Sequence, residues 1–320
     1  MSTIHAPMDD ARLQADRARL QLATGDAYRV LGPLGRGPLG VVFRAEDRAI
    51  GREVAVKLLA FDADARPDLY ARLEHAVQLA RDLAHPGIVA PLALARCDGT
   101  AFYVMPIMSG GSVDDVLRAR TPISVERILG IIRDAAGALD HAHAHGVVHG
   151  GVKPANLLID AEGRVRIADL GVATALCADG GVRAALAARA QAYAPPEQRR
   201  GHPVDGRADQ YALAVIAYEM FTGARLLDAP SIEGIQTLDP VQVLPEVPLR
   251  LGLGVHVNAA LRSALSASPA SRFPTARAFA TALEEPERAD RTVRAGRMRH
   301  VVAATAVLLA ALALAAIAVH

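Results

Sequence analysis

A glycine-rich segment followed by two strand-like runs restricts the possible folds of this chain more than any other feature. Gly35, Gly37 and Gly40 follow the pattern GxGxxG, and the chain continues as the apolar run VVFRAED and then as VAVK, which ends at Lys57. A dinucleotide-binding fold needs a helix directly after the third glycine, whereas VVFRAED is typical of a strand. A glycine-rich hairpin can lay its backbone over phosphates, and a lysine on the next strand can reach them. The pattern therefore indicates a phosphate-binding hairpin.

Charge and cysteine content exclude several classes of protein. The 35 basic residues nearly balance the 34 acidic ones, so the formal net charge of +1 gives no overall attraction to nucleic acid. Aromatic residues make up 4% of the chain and Trp is absent, which argues against base-stacking surfaces. Cys97 and Cys177 form no CxxC or zinc-type pattern. We therefore expect no nucleic-acid partner, no disulfide scaffold and a reducing, cytosolic environment.

The sequence pattern changes along the chain. Residues 1–27 predict a polar helical extension, and they lack the basic and then apolar order of a signal peptide. Short β-rich runs follow, with a helix expected over Asp68–Ala84 and further strands around Ile88–Leu94 and Phe102–Met105. The later part is mostly helical in pattern. The chain is therefore expected to be α+β.

A series of short motifs resembles the eukaryotic-type serine/threonine protein kinase family, in its bacterial membrane-anchored form. The resemblance runs from about Tyr28 to Leu283. It implies a two-lobed kinase-like domain over residues 28–285, with a small β-rich N-lobe (28–105), a helical C-lobe (109–285) and nucleotide in the cleft. The matching segments, in order, are LGRGPLGVVFRAED, VAVK, AHPGIV, YVMPIMSGGS, HGGVKPANLLID, IADLG, PPE, RADQYALAVIAYEMFTG and SRF.

The resemblance also implies a site for ATP and Mg²⁺. Asn156 and Asp169 would hold the metal between the phosphates, and Leu170 replaces the usual phenylalanine without touching that role. Lys57 would contact the α- and β-phosphates, and Lys153 the transferring phosphate. The other expected nucleotide-binding positions are the glycines Gly35, Gly37 and Gly40, the adenine contacts Leu34, Val42, Ala55 and Leu158, Met105 at the back of the pocket, and the hinge residues Pro106 and Met108.

Several positions depart from the family pattern. The His-Arg-Asp triplet of the catalytic loop ends here in Gly150 and Gly151, so glycine stands where the family has its catalytic base. The glutamate that orients the phosphate-binding lysine falls on Ala76, and Glu74 lies on another face of the expected helix. A threonine that contacts the catalytic aspartate in the family is Ala190. Gly150 also removes the arginine that binds an activation-loop phosphate.

The two lysines of the chain occupy informative positions. Lys57 and Lys153 are the only lysines among 35 basic residues, and both fall where the family places a lysine on phosphate. An ammonium is a compact point charge and a guanidinium a planar fork, so arginine does not simply replace lysine at such sites. We favour retained phosphate binding; the alternative is that both are ancestral residues that have not yet been replaced.

Four histidines lie close together in the sequence. His141, His143, His145 and His149 resemble a metal cluster, and His141 and His145 are one helical turn apart. No carboxylate or cysteine lies among them, and the family alignment places them on a core helix and in the catalytic loop. We therefore do not expect a metal at these residues.

The C-terminal residues predict a membrane anchor. Residues 286–300 carry five arginines against two acidic residues, and residues 301–319 carry no charge. Nineteen helical residues span roughly 28 Å, which is close to the hydrocarbon thickness of a bilayer. We expect a transmembrane helix at 301–319, a basic juxtamembrane segment on the cytoplasmic side, and, since only His320 follows, no domain beyond it. The alternative is a buried alanine-rich helix.

Three functions are compatible with these patterns. The first is a single-pass pseudokinase of the cell (inner) membrane, with a cytoplasmic kinase-like domain that binds nucleotide and signals or scaffolds without useful phosphotransfer. The second is a weakly active serine/threonine kinase, because phosphoryl transfer depends mainly on positioning and charge neutralisation. The third is an interaction domain that binds no nucleotide. The departures at the catalytic loop favour the first.

Overall fold

The computed structural model describes residues 10–37, 39–176, 192–224 and 255–284. The chain divides into two compact units. The first unit comprises residues 1–116 and 141–192, and the second comprises residues 117–140 and 193–320. Each unit is described by itself.

An antiparallel sheet of five strands forms the centre of the first unit. The strand order is β1-β2-β3-β5-β4. Successive side chains of β3 point to opposite faces of the sheet, and its Val, Ala and Leu residues are buried on both faces. The strands are β1 Tyr28–Gly37, β2 Gly40–Asp47, β3 Arg52–Asp62, β4 Ala93–Cys97 and β5 Thr100–Pro106.

Each face of the sheet is covered by a helix. Helix α1 (Asp10–Thr24) buries Leu13 and Leu20 against one face, with Phe43 among the strand residues that it meets. Helix α2 (Pro67–Asp82) buries a stripe that includes Leu73 and Val77 against the other face. Alternation along β3 places Lys57 on the α2 side, together with Ala55 and Leu59.

The predicted bounds of the strand around Ile88–Leu94 are wrong. Strand β4 begins only at Ala93, and Ile88 instead forms an isolated parallel bridge with Ile167. Pro86 precedes this stretch and Pro91 lies within it, and proline lacks the N–H that a ladder requires. The bridge ties the segment after α2 to the hairpin formed by β6 (Leu157–Ile159) and β7 (Val165–Ile167).

The second unit is helical. Its ion pair between Glu197 and Arg272 is buried, with two nitrogen-to-oxygen distances of 2.6 and 2.8 Å. Arg272 also stacks on the Tyr211 ring, and the Tyr193 hydroxyl donates to Glu219 at 2.8 Å. The remaining helices are α3 Val113–Arg118, α4 Val125–Ala144, α5 Val172–Leu176, α6 Pro196–Arg199, α7 Gly206–Thr222, α8 Val255–Ala264 and α9 Ala276–Glu284. Helix α5 belongs to the first unit, and helices α3 and α4 contribute to both units.

Within the residues that the structure describes, no helix has the length and apolarity needed to cross a membrane. The expected basic segment at 286–300 and the expected span at 301–319 both lie outside those residues. Ala190 lies outside them as well.

Candidate functional site

The glycine-rich hairpin is formed by the end of β1 and the start of β2. Gly40 has a φ of +144°, and a Cβ there would lie 1.8 Å from the carbonyl oxygen of Leu58, so only glycine fits. A Cβ at Gly35 or Gly37 would meet nothing within 4 Å. The hairpin is therefore tightly packed at Gly40 and has open space beside Gly35 and Gly37.

The N-terminal helix holds this hairpin. Arg36, between two of the glycines, forms a 2.8 Å ion pair with Asp16 of α1, and both side chains are partly buried. Arg17 of the same helix donates to the carbonyl oxygen of Val30 at 3.2 Å. The extension is therefore attached directly to the loop expected to contact phosphates.

The residues expected around adenine form an apolar surface in the first unit. Ala55 and Met105 are buried and are paired across β3 and β5. Val42, Met108 and Leu158 are partly buried and pack against the same cluster. Leu34 is 39% exposed and lies outside the cluster, at the open side of β1. Pro106, the last residue of β5, pairs with Val54, and its missing N–H does not affect its carbonyl oxygen.

Lys57 and Asp169 meet as a buried ion pair. The Nζ atom of Lys57 donates to Oδ2 of Asp169, and their side chains are 8% and 10% exposed. Burial alone would raise the pKa of Asp169, but the charge of Lys57 and the hydrogen bonds from Lys57 and Tyr103 outweigh it, so its pKa is lowered. Lys153 lowers this pKa further through its charge. The site thus brings two cations close to one carboxylate that stays ionised.

Tyr103 contacts both members of this ion pair, which the sequence did not predict. Its hydroxyl donates to Oδ1 of Asp169, and its ring lies 5.6 Å from Nζ of Lys57. Tyr103 pairs with Lys57 across β3 and β5, so both side chains lie on the same face of the sheet. Its position two residues before Met105 was the available indication, because alternate strand residues share a face.

Helix α2 does not supply the carboxylate that the kinase family places beside the phosphate-binding lysine. Ala76 is buried, 3.8 Å from where a Cβ of Gly171 would lie. Glu74 is exposed, as its position on another face of the helix predicts. Among the described residues, the salt-bridge partner of Lys57 is Asp169.

Asn156 is linked to the segment that carries Asp169. Its backbone oxygen accepts a 2.9 Å hydrogen bond from the N–H of Ala168, which continues the β6–β7 ladder. Its Nδ2 donates to the oxygen of Gly151 at 2.9 Å, so Oδ1 is the amide atom that can bind a cation. A carboxylate and an amide oxygen are ligands that Mg²⁺ accepts, so the donor set fits that ion.

The start of helix α5 packs closely against Gly150 and Gly151 of the catalytic loop. Gly150 has a φ of +67°, and a Cβ there would lie 2.1 Å from Oγ1 of Thr174. A Cβ at Gly151 would lie 2.8 Å from the Cβ of Ala173. The two glycines therefore allow an approach of α5 that arginine and aspartate at these positions would prevent.

The histidines do not form a metal centre. His141 stacks on His85 and is tilted against His145, each with ring centroids 4.6 Å apart, while His149 is fully buried. No group of three or more His, Cys, Asp or Glu side chains among the described residues is arranged to hold a metal ion.

The family of this chain follows from its match to a protein-family model. The model described as protein kinase domain matches residues 28–278. This chain belongs to the protein kinase family. Its homologues are bacterial serine/threonine kinases, and the fold is the two-lobed protein kinase fold, with a β-sheet N-lobe and a helical C-lobe.

Similar proteins come from mycobacteria. Serine/threonine-protein kinase PknB of Mycobacterium leprae is 34% identical over 261 residues, which cover 78% of this chain and 41% of that protein. PknJ of Mycobacterium tuberculosis is 33% identical over 265 residues, covering 80% and 44%. The crystal structure of the Mycobacterium tuberculosis PknI kinase domain has a TM-score of 0.62 and 29% identity, covering 81% of this chain and 95% of that one. The chain thus spans about two fifths of the length of these curated relatives.

Proposed function

We propose that this kinase-family protein is a membrane-anchored pseudokinase that binds ATP with Mg²⁺ and acts as a signalling or scaffold module. One observation carries the proposal. The position of the catalytic base is Gly151, and Ala173 lies so close that any side chain there would require the loop or α5 to shift, whereas Lys57 and Asp169 keep a buried ion pair. The cleft keeps its phosphate-binding groups without the group that would accept a proton.

The described residues have separate tasks in nucleotide binding. The open edge at Gly35 and Gly37 accommodates phosphate oxygens, and Lys57 supplies positive charge to them. Asp169 and the amide oxygen of Asn156 are the groups that would hold Mg²⁺. Bound Mg²⁺ supplies charge neutralisation between the phosphates. Lys153, the remnant of the catalytic loop, adds charge near Asp169.

Nucleotide titration of the full-length chain tests this proposal. ATP or ADP should raise the unfolding temperature, and Mg²⁺ should increase the effect. Lys57→Met and Asp169→Ala should each weaken binding, whereas Arg52→Met, an exposed cation on the same strand, should not. Equal binding by all variants and the wild type, or no binding by the wild type, would contradict the proposal.

A weakly active serine/threonine kinase is the second candidate. Retention of Lys57, Lys153, Asn156 and Asp169 favours it, because a general base contributes only about 10² to 10⁴ in rate. Measurable transfer of phosphate to protein, abolished by Lys57→Met, would identify this function. The absence of a carboxylate at Ala76 and of a base at Gly151 favours the pseudokinase.

Membrane attachment is proposed from the sequence pattern. The uncharged run 301–319 follows a segment with five arginines, which places the kinase-like domain in the cytoplasm. Deleting residues 301–320 should release the protein from membranes, and Leu309→Arg should weaken its insertion, since a central charge costs about 3 kcal/mol. Removal of the full-length protein by alkaline carbonate, or cleavage of its kinase-like domain by external protease on intact cells, would refute the anchor. Its protein partner is left open, and a nucleic-acid partner is not proposed.

A further inference from the structure

Asp169 is held at both of its carboxylate oxygens. Lys57 donates to one oxygen and the phenol of Tyr103 to the other, with Tyr103 only 1% exposed. Asp169 has a φ of +60°, an uncommon backbone conformation for a residue other than glycine. Two buried donors therefore fix the side chain of a residue whose backbone is also constrained.

The contact joins the phenol O–H of Tyr103 to a carboxylate oxygen of Asp169, away from solvent. A hydrogen bond from a neutral donor to a charged acceptor is among the stronger ones in proteins.

The arrangement compensates for the absence of an acidic partner on α2. Ala76 offers Lys57 no carboxylate, so Lys57 pairs directly with Asp169. Phosphates that attract the Lys57 ammonium would weaken that pair and release one oxygen of Asp169. The Tyr103 hydroxyl would still bind the other oxygen, and a carboxylate oxygen has a further lone pair available for a cation.

We propose that Tyr103 is a positioning residue, which holds the Asp169 carboxylate for Mg²⁺ when nucleotide binds. This inference rests on the proposed nucleotide site. The hydroxyl on β5 would hold the Asp169 carboxylate in place without any glutamate on α2. Tyr103 acts through Asp169 and has no contact of its own with phosphate in this account.

The test is the enhancement of ADP affinity by Mg²⁺, measured on the full-length chain. ADP affinity is determined by titration with excess Mg²⁺ and again with EDTA, and the ratio of the two values is the enhancement. Tyr103→Phe keeps the ring and removes the hydroxyl, so the enhancement should fall about tenfold, as loss of one hydrogen bond to a charged group implies. Affinity in EDTA, which depends on Lys57, should change much less.

A matched control separates positioning from stability. Tyr193→Phe also removes a buried hydrogen bond from a tyrosine to a carboxylate, that of Glu219, but in the second unit. It should lower the unfolding temperature and leave the Mg²⁺ enhancement at the wild-type value. In an Asp169→Asn background, Tyr103→Phe should have no further effect on the enhancement.

The outcomes distinguish this inference from the function on which it rests. A wild-type enhancement that Tyr103→Phe leaves unchanged would overturn the role of Tyr103 alone. No ADP binding by the wild type would overturn the nucleotide site and this inference with it. If Tyr103→Phe does not fold, Tyr103→Leu, which also lacks the hydroxyl, must show the same loss, and an unchanged enhancement there would be equally decisive.

Discussion

A single methyl group at Gly151 tests how closely α5 packs on the catalytic loop. In Gly151→Ala the added Cβ would lie 2.8 Å from the Cβ of Ala173. Carbon atoms pack at about 3.5–4.0 Å, so the loop or the helix must move by roughly 1 Å. The backbone at Gly151 does not have a positive φ, so alanine adds no conformational strain of its own.

The expected loss of stability follows from two opposing effects. Overpacking a closely packed site costs about 1–3 kcal/mol. Replacing glycine by alanine reduces the freedom of the unfolded chain and returns about 0.4–1 kcal/mol. Gly151→Ala should therefore lower the free energy of unfolding by about 1–2 kcal/mol.

Urea unfolding of four proteins measures this effect. They are the wild type, Gly151→Ala, Ala173→Gly and the double variant. Gly32→Ala is the control, because a Cβ there meets nothing within 4 Å. The cost of Gly151→Ala should largely disappear in the Ala173→Gly background, since the opposing Cβ is gone. Equal costs in both backgrounds, or no cost in either, would refute the packing argument.

Further predictions concern the loop, the buried carboxylate and the second unit. Asp16→Ala should speed amide hydrogen exchange in the glycine-rich hairpin, because Arg36 loses its 2.8 Å partner. The lowered pKa of Asp169 gives stability that is present above its ordinary value of 3.8 and is lost as the pH falls through the lowered value. Lys57→Met should remove this loss from a plot of urea midpoint against pH, since burial then raises the pKa instead. Arg272→Ala should lower the free energy of unfolding by about 3–5 kcal/mol, because it leaves a buried carboxylate without its partner.

Each of these predictions has a clear contrary result. Unchanged amide hydrogen exchange in Asp16→Ala would show that the ion pair with α1 does not stabilise the hairpin. A steeper loss of stability in acid for Lys57→Met than for the wild type would contradict the ion pair with Asp169. Arg29→Ala breaks an exposed ion pair and serves as the control for Arg272→Ala, so similar losses in both would contradict the buried pair.

Regular hydrophobic patterns made much of the fold predictable. The expected helix over Asp68–Ala84 corresponds to α2 at Pro67–Asp82, and the expected strand at Phe102–Met105 lies within β5. Helix α2 has a periodic stripe of buried residues, and β5 is a short apolar run that is buried on both faces. The run around Ile88–Leu94 has apolar residues too, but its prolines leave a single bridge in place of a strand.

The positions of the site residues were predictable only where a motif carried them. Gly40 and Lys57 belong to such motifs; the structure places Gly40 at the start of β2 and pairs Lys57 with Asp169. The contact between Tyr103 and Asp169 joins residues far apart in the sequence, and it depends on strand register. Packing of that kind leaves no local pattern in the sequence.

If the proposed pseudokinase function holds, phosphotransfer should require the restoration of more than one position. Gly151→Asp introduces the same Cβ that meets Ala173, so we expect it alone to recover little activity. Ala76→Glu would supply Lys57 with a partner on α2, and groups that act as a unit recover activity only together. Activity in Gly151→Asp/Ala76→Glu, with Ala173→Gly to make room, would identify these positions as the missing parts.

Phosphotransfer by the unmodified full-length chain tests the central claim most directly. The chain is incubated with γ-labelled ATP and Mg²⁺ at concentrations that saturate binding, alone and with a protein substrate, beside a competent serine/threonine kinase. The account predicts no incorporation of label, or incorporation at least about 10²-fold below the competent kinase, the smallest contribution expected of one general base. Robust autophosphorylation that Lys57→Met abolishes would contradict the account and identify an active kinase.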